Sequence, residues 1–566
     1  MAANHAGKTV HEASAHGVAR LTVHIPSAFR PNAAKAKLGD AESVSRLGTI
    51  EFRIYYVVVA VAIPVMVWIP MTLSDPSNRN YPYFSGRLSP GWINGRAVDN
   101  SDAQYRSFRD NFSILCKAAA GYLSMRQATR YLFGKHATNS LYRIPTNAVL
   151  SILMIIALHG SSSAKILFIM SVNYLIAKRC RGSRLAPLLT WAFNVLVLFA
   201  NDTYRGYQFA AIHPGLAFLD SFSGIYPRWH ISFNITMLRL ISFNMDYHWA
   251  CKAQANSDTA VTTPDEKQRV TVPHSLELYS PINYLSYILY PPLYIAGPIL
   301  TFNDFMWQHR KPTAISIRSN ILYLFRFACC YLTMEFILHY MYVVAIKDRK
   351  AWLGDSSAEI ALLGFWNLIV VWLKLLIPWR FFRAWALLDG IDPPENMVRC
   401  MVNNYSTFGF WRSWHRSYNL WIIRYIYVPL GGSKHVLVNT LLVFSFVALW
   451  HDLTFRLLAW GWLISLFVVP ELLAGYLLPA AKFGKRPWFR HVCAAGGVVN
   501  MLLMVVANLI GFVLGTDGTR EFFAQLLGTL EGLRFMAIML PCMFVAVQLM
   551  FEYREEEFRQ GIVRRC

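Results

Sequence analysis

Blocks of apolar residues long enough to cross a lipid bilayer recur along this chain and leave little choice of architecture. The first covers residues 52–73. Others follow at 144–159, 164–177, 186–200, 282–301, 321–346, 358–377, 436–450, 457–478, 493–514 and 533–551. A weaker block at 108–123 is interrupted by Lys117. The pattern predicts an all-α polytopic membrane protein with about eleven transmembrane helices, since roughly 20 apolar residues span the hydrocarbon as a helix. The blocks between 144 and 200 are short for that, so tilted, re-entrant or interfacial helices are expected among them. Charge is correspondingly sparse: 15% of residues are charged, against ~25% in soluble domains.

The net charge of +22 belongs to short loops rather than to a soluble basic face, so no nucleic-acid partner is expected. Arg126, Arg130, Lys135 and Arg143 form one basic loop, and Lys178, Arg179, Arg181 and Arg184 form another. The hairpin of 144–177 joins them, which places both on one side, the cytoplasmic side by loop charge. Residues 1–49 read as a disordered polar tail without the apolar core of a signal peptide. Residues 50–566 read as a single membrane-embedded domain. The polar stretch 251–275 reads as an internal connector, too short to bury a core. Nine cysteines form no Cys-x-x-Cys pair, so neither a metal site nor a disulfide framework is expected. His11, Glu12 and His16 miss the spacing of a zinc-protease helix.

One apolar block ends on a titratable group. Residues 441–450 carry a single hydroxyl and no charge, and His451 and Asp452 follow. An ionisable side chain at the end of such a run costs free energy unless it has a partner or a task. A second histidine lies upstream in an unusual stretch, Phe410-Trp411-Arg412-Ser413-Trp414-His415-Arg416-Ser417-Tyr418-Asn419. The segment continues through Arg424 and Tyr427 to Pro429 and the turn at Gly431-Gly432. Tryptophan and tyrosine favour the membrane interface, and arginine there pairs with phosphates. Trp411, Arg412, Trp414, Asn419, Arg424 and Tyr427 are therefore the candidate substrate-binding residues. The bland reading of the same residues is an interfacial belt.

Several chemistries do not fit. A metal site wants three or four ligands at short spacing. A serine hydrolase wants a Gly-x-Ser-x-Gly elbow, and a nucleotide site wants a phosphate-cradling loop. Direct general-base catalysis remains: an imidazole takes the proton of a hydroxyl that attacks an activated acyl carbon.

The Trp-Arg-x-Trp-His stretch, the Arg-Tyr-x-Tyr-x-Pro-Leu-Gly-Gly turn and the histidine closing an apolar helix together resemble the membrane-bound O-acyltransferase (MBOAT) family. The segment Tyr290–Ile299, with Ala296-Gly297-Pro298, is similar to that family's Ala-Gly-Pro segment. Residues 372–380, 385–392 and 394–397, Val98–Asp102 and Glu555–Glu557 resemble its fungal glycerol-uptake, GPI-remodelling branch. The resemblance implies transfer of a long acyl chain from acyl-CoA, as donor substrate and with no cofactor, to a lipid hydroxyl. It places the catalytic histidine on His451. Its second polar position falls on His415, where many eukaryotic members carry Asn or Asp. His415 either orients the acceptor or donates a hydrogen bond to the developing oxyanion. The implied acceptor is the sn-2 hydroxyl of a lyso-GPI anchor or GPI-anchored protein. The implied location is the endoplasmic reticulum membrane, with the plasma membrane as a second location. The alternative is a glycerol (polyol) transporter or proton symporter.

Three further groups have competing readings. Glu335 and His339, at i and i+4, face each other on a helix and read first as a self-paired couple. Lys374, Arg380 and Arg383, with Trp379 and Trp385, read as an interfacial anchor or as a holder of coenzyme A phosphates. Asp452 points about 100° away from His451 on a helix and reads as a helix-end group.

Overall fold

The computed structural model describes residues 44–134, 137–253, 264–451 and 453–564. Most of the expected tail, Lys135 and Asp452 lie outside them. The long helices are α1 (Ile50–Leu73), α2 (Phe112–Phe133), α3 (Ile144–His159), α4 (Ser163–Cys180), α5 (Leu185–Thr203), α6 (Trp229–Ala253), α7 (Ile317–Tyr340), α8 (Ser357–Leu388), α9 (Val436–His451), α10 (Phe455–Leu477), α11 (Phe489–Asn508) and α12 (Leu530–Arg559). Nine stretches among the described residues are long and apolar enough to cross a membrane. One of these, Leu141–Cys180, is 40 residues long and holds both α3 and α4, joined by a tight turn at Gly160–Ser162. Two helices fail the apolar test and complete the bundle: α2, which carries Lys117, and α6.

Helix α6 lies in a region where the sequence pattern predicts no span. Its polar residues, among them Asn234, Arg239, Asn244 and Asp246, occur all around the helix and cancel any apolar signature. Most of its length is nevertheless buried, because its central polar groups meet partners. Arg239 donates to the carbonyl oxygens of Ile288 (2.8 Å) and Leu293. Asn244 donates to the Asn173 side chain at 3.1 Å. A buried polar group that keeps its hydrogen bonds costs little.

The block 282–301, expected as a span, is instead a broken wedge. Pro281–Ile288 and Pro291–Tyr294 are short helices, an irregular stretch follows, and Phe302–Arg310 is helical again. Pro291 and Pro292 supply no N–H groups to continue the first helix. Irregular backbone is tolerated at membrane depth only where protein covers it, and Tyr287, Ile288, Leu289 and Tyr290 are all buried. The polar connector also differs from expectation. Asp265 caps a helix at Glu266–Thr271, and Arg269 pairs with Asp304 of the wedge at 2.8 Å.

Ser286 of the wedge accepts from Asn147 at the start of α3 (2.6 Å), the Tyr284 hydroxyl donates to the Met170 carbonyl near the middle of α4 (2.8 Å), and the Tyr174 hydroxyl, in the second half of α4, donates to the Tyr279 carbonyl just before the wedge (3.3 Å). The start of α3 and the end of α4 are therefore neighbours, and the two basic loops share one end of the bundle. Arg126 of the first loop, now the last turns of α2, binds Asp389 at 2.9 Å. The apolar core has two main clusters among the described residues, one around α3–α6 and the wedge, the other around α7 and α8. Phe108 and Phe327 touch both.

Candidate active site

The stretch carrying His415 is two short helices, Thr407–Ser413 and Arg416–Ile422, broken at Trp414-His415. Ser406 caps the first through the Gly409 N–H, and the Glu471 carboxylate accepts from the Thr407 N–H at 2.8 Å. A carboxylate at a helix N-terminus is favourable. His415 then turns the chain with φ +44° and ψ +48°, the left-handed region that costs a non-glycine residue about 1–3 kcal/mol. The surroundings enforce that turn. The Arg416 N–H donates to the Asn396 carbonyl at 3.0 Å, and the Ser417 N–H to the Asn396 side chain at 3.1 Å. The Ser417 hydroxyl accepts from the Ile299 N–H at 2.8 Å, tying the break to the Ala-Gly-Pro segment. The Trp379 ring, one residue past Pro378 in α8, stacks on the imidazole at 4.6 Å.

His451 is placed from another direction. After Arg416–Ile422 the chain makes a π-helical turn, Ile423–Tyr427, then reverses at Gly431 (φ +94°) into α9. Helix α9 runs antiparallel to α6. Arg424, before α9, meets Asp246 in the last third of α6. Trp450, at the end of α9, meets Asn234 near the start of α6, with two reciprocal bonds. The Trp450 indole donates to the Asn234 carbonyl at 2.9 Å, and the Asn234 amide donates to the Trp450 carbonyl at 3.0 Å. This latch fixes the backbone one residue from His451. Trp450 also packs on Tyr418 (4.5 Å between ring centroids), which packs on His415 (5.2 Å). The Trp450 ring is near both imidazoles, 6.4 Å from that of His415 and 4.8 Å from that of His451 between ring centroids.

Both histidines line a cavity of ≈2820 Å³ between the helices. His451 is surrounded by protein, yet its ring is exposed, because the cavity is what it faces. Trp411, Arg412, Trp414, Asn419 and Tyr427 also lie on the wall. Arg424 does not. It is spent on Asp246 (2.8 Å), with the Trp249 ring 4.6 Å away, and the Tyr425 hydroxyl donates to the same carboxylate at 3.0 Å. Arg424, a substrate-binding candidate by sequence, is thus placed off the cavity wall and paired with a buried carboxylate. Arg412, by contrast, is exposed, with the Phe408 ring 5.7 Å from its guanidinium and no carboxylate at ion-pair distance among the described residues.

The other sequence candidates are committed to structure. Glu335 takes two bonds from Arg109 (2.7 and 2.9 Å) and one from the Trp92 indole (2.7 Å), and His339 lies 3.8 Å from it. Lys374 pairs with Asp102 at 2.7 Å and Arg383 with Asp392 at 2.6 Å, while Arg380 donates to the Cys330 sulfur at 3.0 Å. Lys374 and Arg383 are thus engaged by carboxylates, Arg383 also by Glu395 at 3.5 Å, whereas the partner of Arg380 is a neutral thiol. Sequence reasoning missed the packing of Trp379 and Tyr418 on His415, and the roles of Asn234 and Trp450. Tyr418 is buried beside His415 with a hydroxyl that has no hydrogen-bond partner among the described residues, an unusual state for a buried polar atom. The Asn234–Trp450 latch makes a direct prediction. Asn234→Leu should lower kcat by about 10–100-fold, because small displacements of a catalytic group are costly, and leave the melting temperature within a few degrees. Unchanged kcat in steady-state assays counts against the latch.

A model of the membrane-bound O-acyltransferase family matches residues 210–516, a range that holds both histidines, the wedge and the latch. The chain is also 44% identical over 539 residues, 93% of its length and 91% of the relative's, to membrane-bound O-acyltransferase GUP1 of Candida tropicalis. The chain belongs to the membrane-bound O-acyltransferase family. The Saccharomyces cerevisiae protein of the same name is 43% identical, covering 92% of this chain and 93% of its own. A more distant similarity, 32% over 196 residues, is to the mouse protein-cysteine N-palmitoyltransferase HHAT, across 33% of this chain and 39% of that one. The protein is thus a multi-pass membrane acyltransferase, all-α as its apolar blocks predict and of the family that its motifs resemble.

Proposed function

We propose that this MBOAT protein transfers a long acyl chain from acyl-CoA to a lipid hydroxyl, the sn-2 hydroxyl of a lyso-GPI anchor, in the endoplasmic reticulum membrane. The observation that carries the reading is one apolar cavity holding both His415 and His451. Its wall is mostly aliphatic and aromatic, and no Asp or Glu lies on it among the described residues. Such a wall suits an acyl chain, whereas a polyol or proton path needs a run of polar groups. His451 takes the proton of the acceptor hydroxyl as its oxygen attacks the thioester carbon. The tetrahedral intermediate collapses, the carbon–sulfur bond breaks, and the coenzyme A thiolate leaves with the proton held on the imidazolium. Arg412 holds phosphates of the coenzyme A. His415, locked by Trp379, offers a hydrogen bond to the developing oxyanion or orients the acceptor. Confining that bond to a dry site is what gives it catalytic weight.

Purified protein in nanodiscs, supplied with deuterated acyl-CoA and lyso-GPI or lysophosphatidylinositol, should yield product heavier by one acyl chain, with fragmentation placing it at sn-2. Uptake of glycerol into proteoliposomes without acyl-CoA, and no acylated lipid, would support the transporter instead. Two substitutions separate the roles of His415. Asparagine tolerates the left-handed backbone and keeps a donor, so His415→Asn should retain activity within about tenfold. His415→Ala, which loses both, should fall by about 100-fold, in line with the loss of one oxyanion donor. Equal activity of the two variants would leave His415 without a polar role.

A further inference from the structure

From the arrangement around Arg228 we infer a second anion subsite on the cavity wall, one that holds the phosphodiester of the acceptor lipid. This inference rests on the lipid-acceptor reading above. Arg228 immediately precedes α6 and lines the same cavity as His451. It is exposed, its guanidinium lies 5.7 Å from the Tyr226 ring, and no carboxylate is within ion-pair distance of it among the described residues. Arg205 and Arg228, and Asp202 with them, lie within electrostatic reach of His230. The local balance is positive.

The segment that presents Arg228 is rigidly held. The Ser161 N–H donates to the Phe222 carbonyl (2.9 Å), the Ile225 N–H to Ala157 (3.0 Å) and the Tyr226 N–H to Leu158 (2.7 Å). The His159 imidazole bonds the Tyr226 carbonyl at 2.8 Å. Two glycines allow the contact. A side chain at Gly224 would overlap the Leu158 carbonyl, and one at Gly160 (φ +55°) would overlap that of Phe222. Asp220, the one carboxylate between Tyr204 and Arg228, accepts from the Ala210 and Phe209 N–H groups, which hold its carboxyl below the usual range. It is engaged away from Arg228. A pinned strap that ends in an unpaired guanidinium is preorganised for an anion, because little ordering remains to be done on binding.

The position suits a glycerolipid. Arg228, Ile231, Ser232 and Ile235 all line the cavity, and their spacing makes one stripe along the first turns of α6. Asn234, latched to Trp450, lies six positions beyond Arg228, about 9 Å along the helix. A phosphodiester is four bonds from the sn-2 oxygen of its own glycerol. A phosphate on Arg228 therefore points the adjacent hydroxyl along the stripe toward His451. Arg412, on the separate helix Thr407–Ser413, remains for the phosphates of coenzyme A, so the two substrates bring their charges to different elements. Arg228 lies at the end of α6 opposite Cys251, which packs on Gly182 in the second basic loop. By loop charge it is the non-cytoplasmic end.

The test is binding, measured in the His451→Ala background so that turnover does not intrude and the outcome is independent of whether the lipid is ever acylated. Lysophosphatidylinositol, monoacylglycerol (the same glycerol without phosphate) and a long-chain acyl-CoA are titrated against protein in nanodiscs. Arg228→Gln should weaken lysophosphatidylinositol about tenfold, the usual size of one charge-assisted contact. Monoacylglycerol and acyl-CoA should stay within about twofold. Arg228→Lys should recover most of the affinity, which separates loss of charge from loss of fold. Unchanged affinity for lysophosphatidylinositol, no binding of it before substitution, or a larger effect on acyl-CoA would each overturn the assignment.

Discussion

His451→Ala is expected to lower kcat by about 100–10,000-fold, the range that positioned general bases contribute, while the protein stays folded and abundant. The asymmetry follows from where the ring sits. Its imidazole is exposed to the cavity and has no protein hydrogen-bond partner among the described residues, so removing it leaves no buried donor or acceptor stranded. The backbone at Trp450 remains latched to Asn234, and helix α9 keeps its place. Size-exclusion profile, melting temperature and acyl-CoA affinity should therefore match those of the unaltered protein. A loss of activity accompanied by aggregation or a large drop in melting temperature would make His451 a structural residue.

Arg424→Ala is expected to do the reverse. Asp246 has no exposed side-chain surface, and Arg424 is the cation paired with it. Removing one partner of a buried pair leaves an uncompensated charge and costs about 3–5 kcal/mol. The melting temperature should fall sharply, and what protein survives should bind acyl-CoA normally. Asp246→Leu combined with Arg424→Leu should recover much of the loss, because a matched apolar pair removes the stranded charge. Weakened substrate binding at unchanged stability would instead restore Arg424 to the binding role that its interfacial setting suggested.

The contrast between Arg412 and Arg424 shows what the sequence carries and what it withholds. Both arginines sit in one aromatic-rich stretch and look alike there. Their difference lies in Asp246, 178 positions upstream of Arg424, on a helix whose polar residues hide it from any hydropathy reading. Helix α6 was illegible for the same reason that it matters: it carries the groups that pair with others, so it lacks an apolar signature, and it holds both the Asp246 pair and the Asn234 latch. The apolar helices α1, α8 and α9–α12 were legible because lipid-facing and core-facing sides alike demand apolar residues. The wedge at 281–310 reads as a span by composition. Only Pro291 and Pro292 signal its break, and only the surrounding helices make that break affordable. The histidines were legible because ionisable groups are rare at such depth. The packing of Tyr418 and Trp379 on His415 was not, since aromatics are common in both the segments that hold them.

The central claim is that one cavity brings a thioester and a lipid hydroxyl to His451, and coupling between the two products tests it most directly. Purified protein and the His451→Ala variant, matched for melting temperature, are given acyl-CoA with and without lysophosphatidylinositol, and free coenzyme A thiol and acylated lipid are measured together. The unaltered protein should release thiol and form acylated lipid in a one-to-one ratio, only when the lysolipid is present, and the variant should form neither above background. Acylated lipid formed at the original rate by the variant, or no acylated lipid from the unaltered protein, would contradict the account.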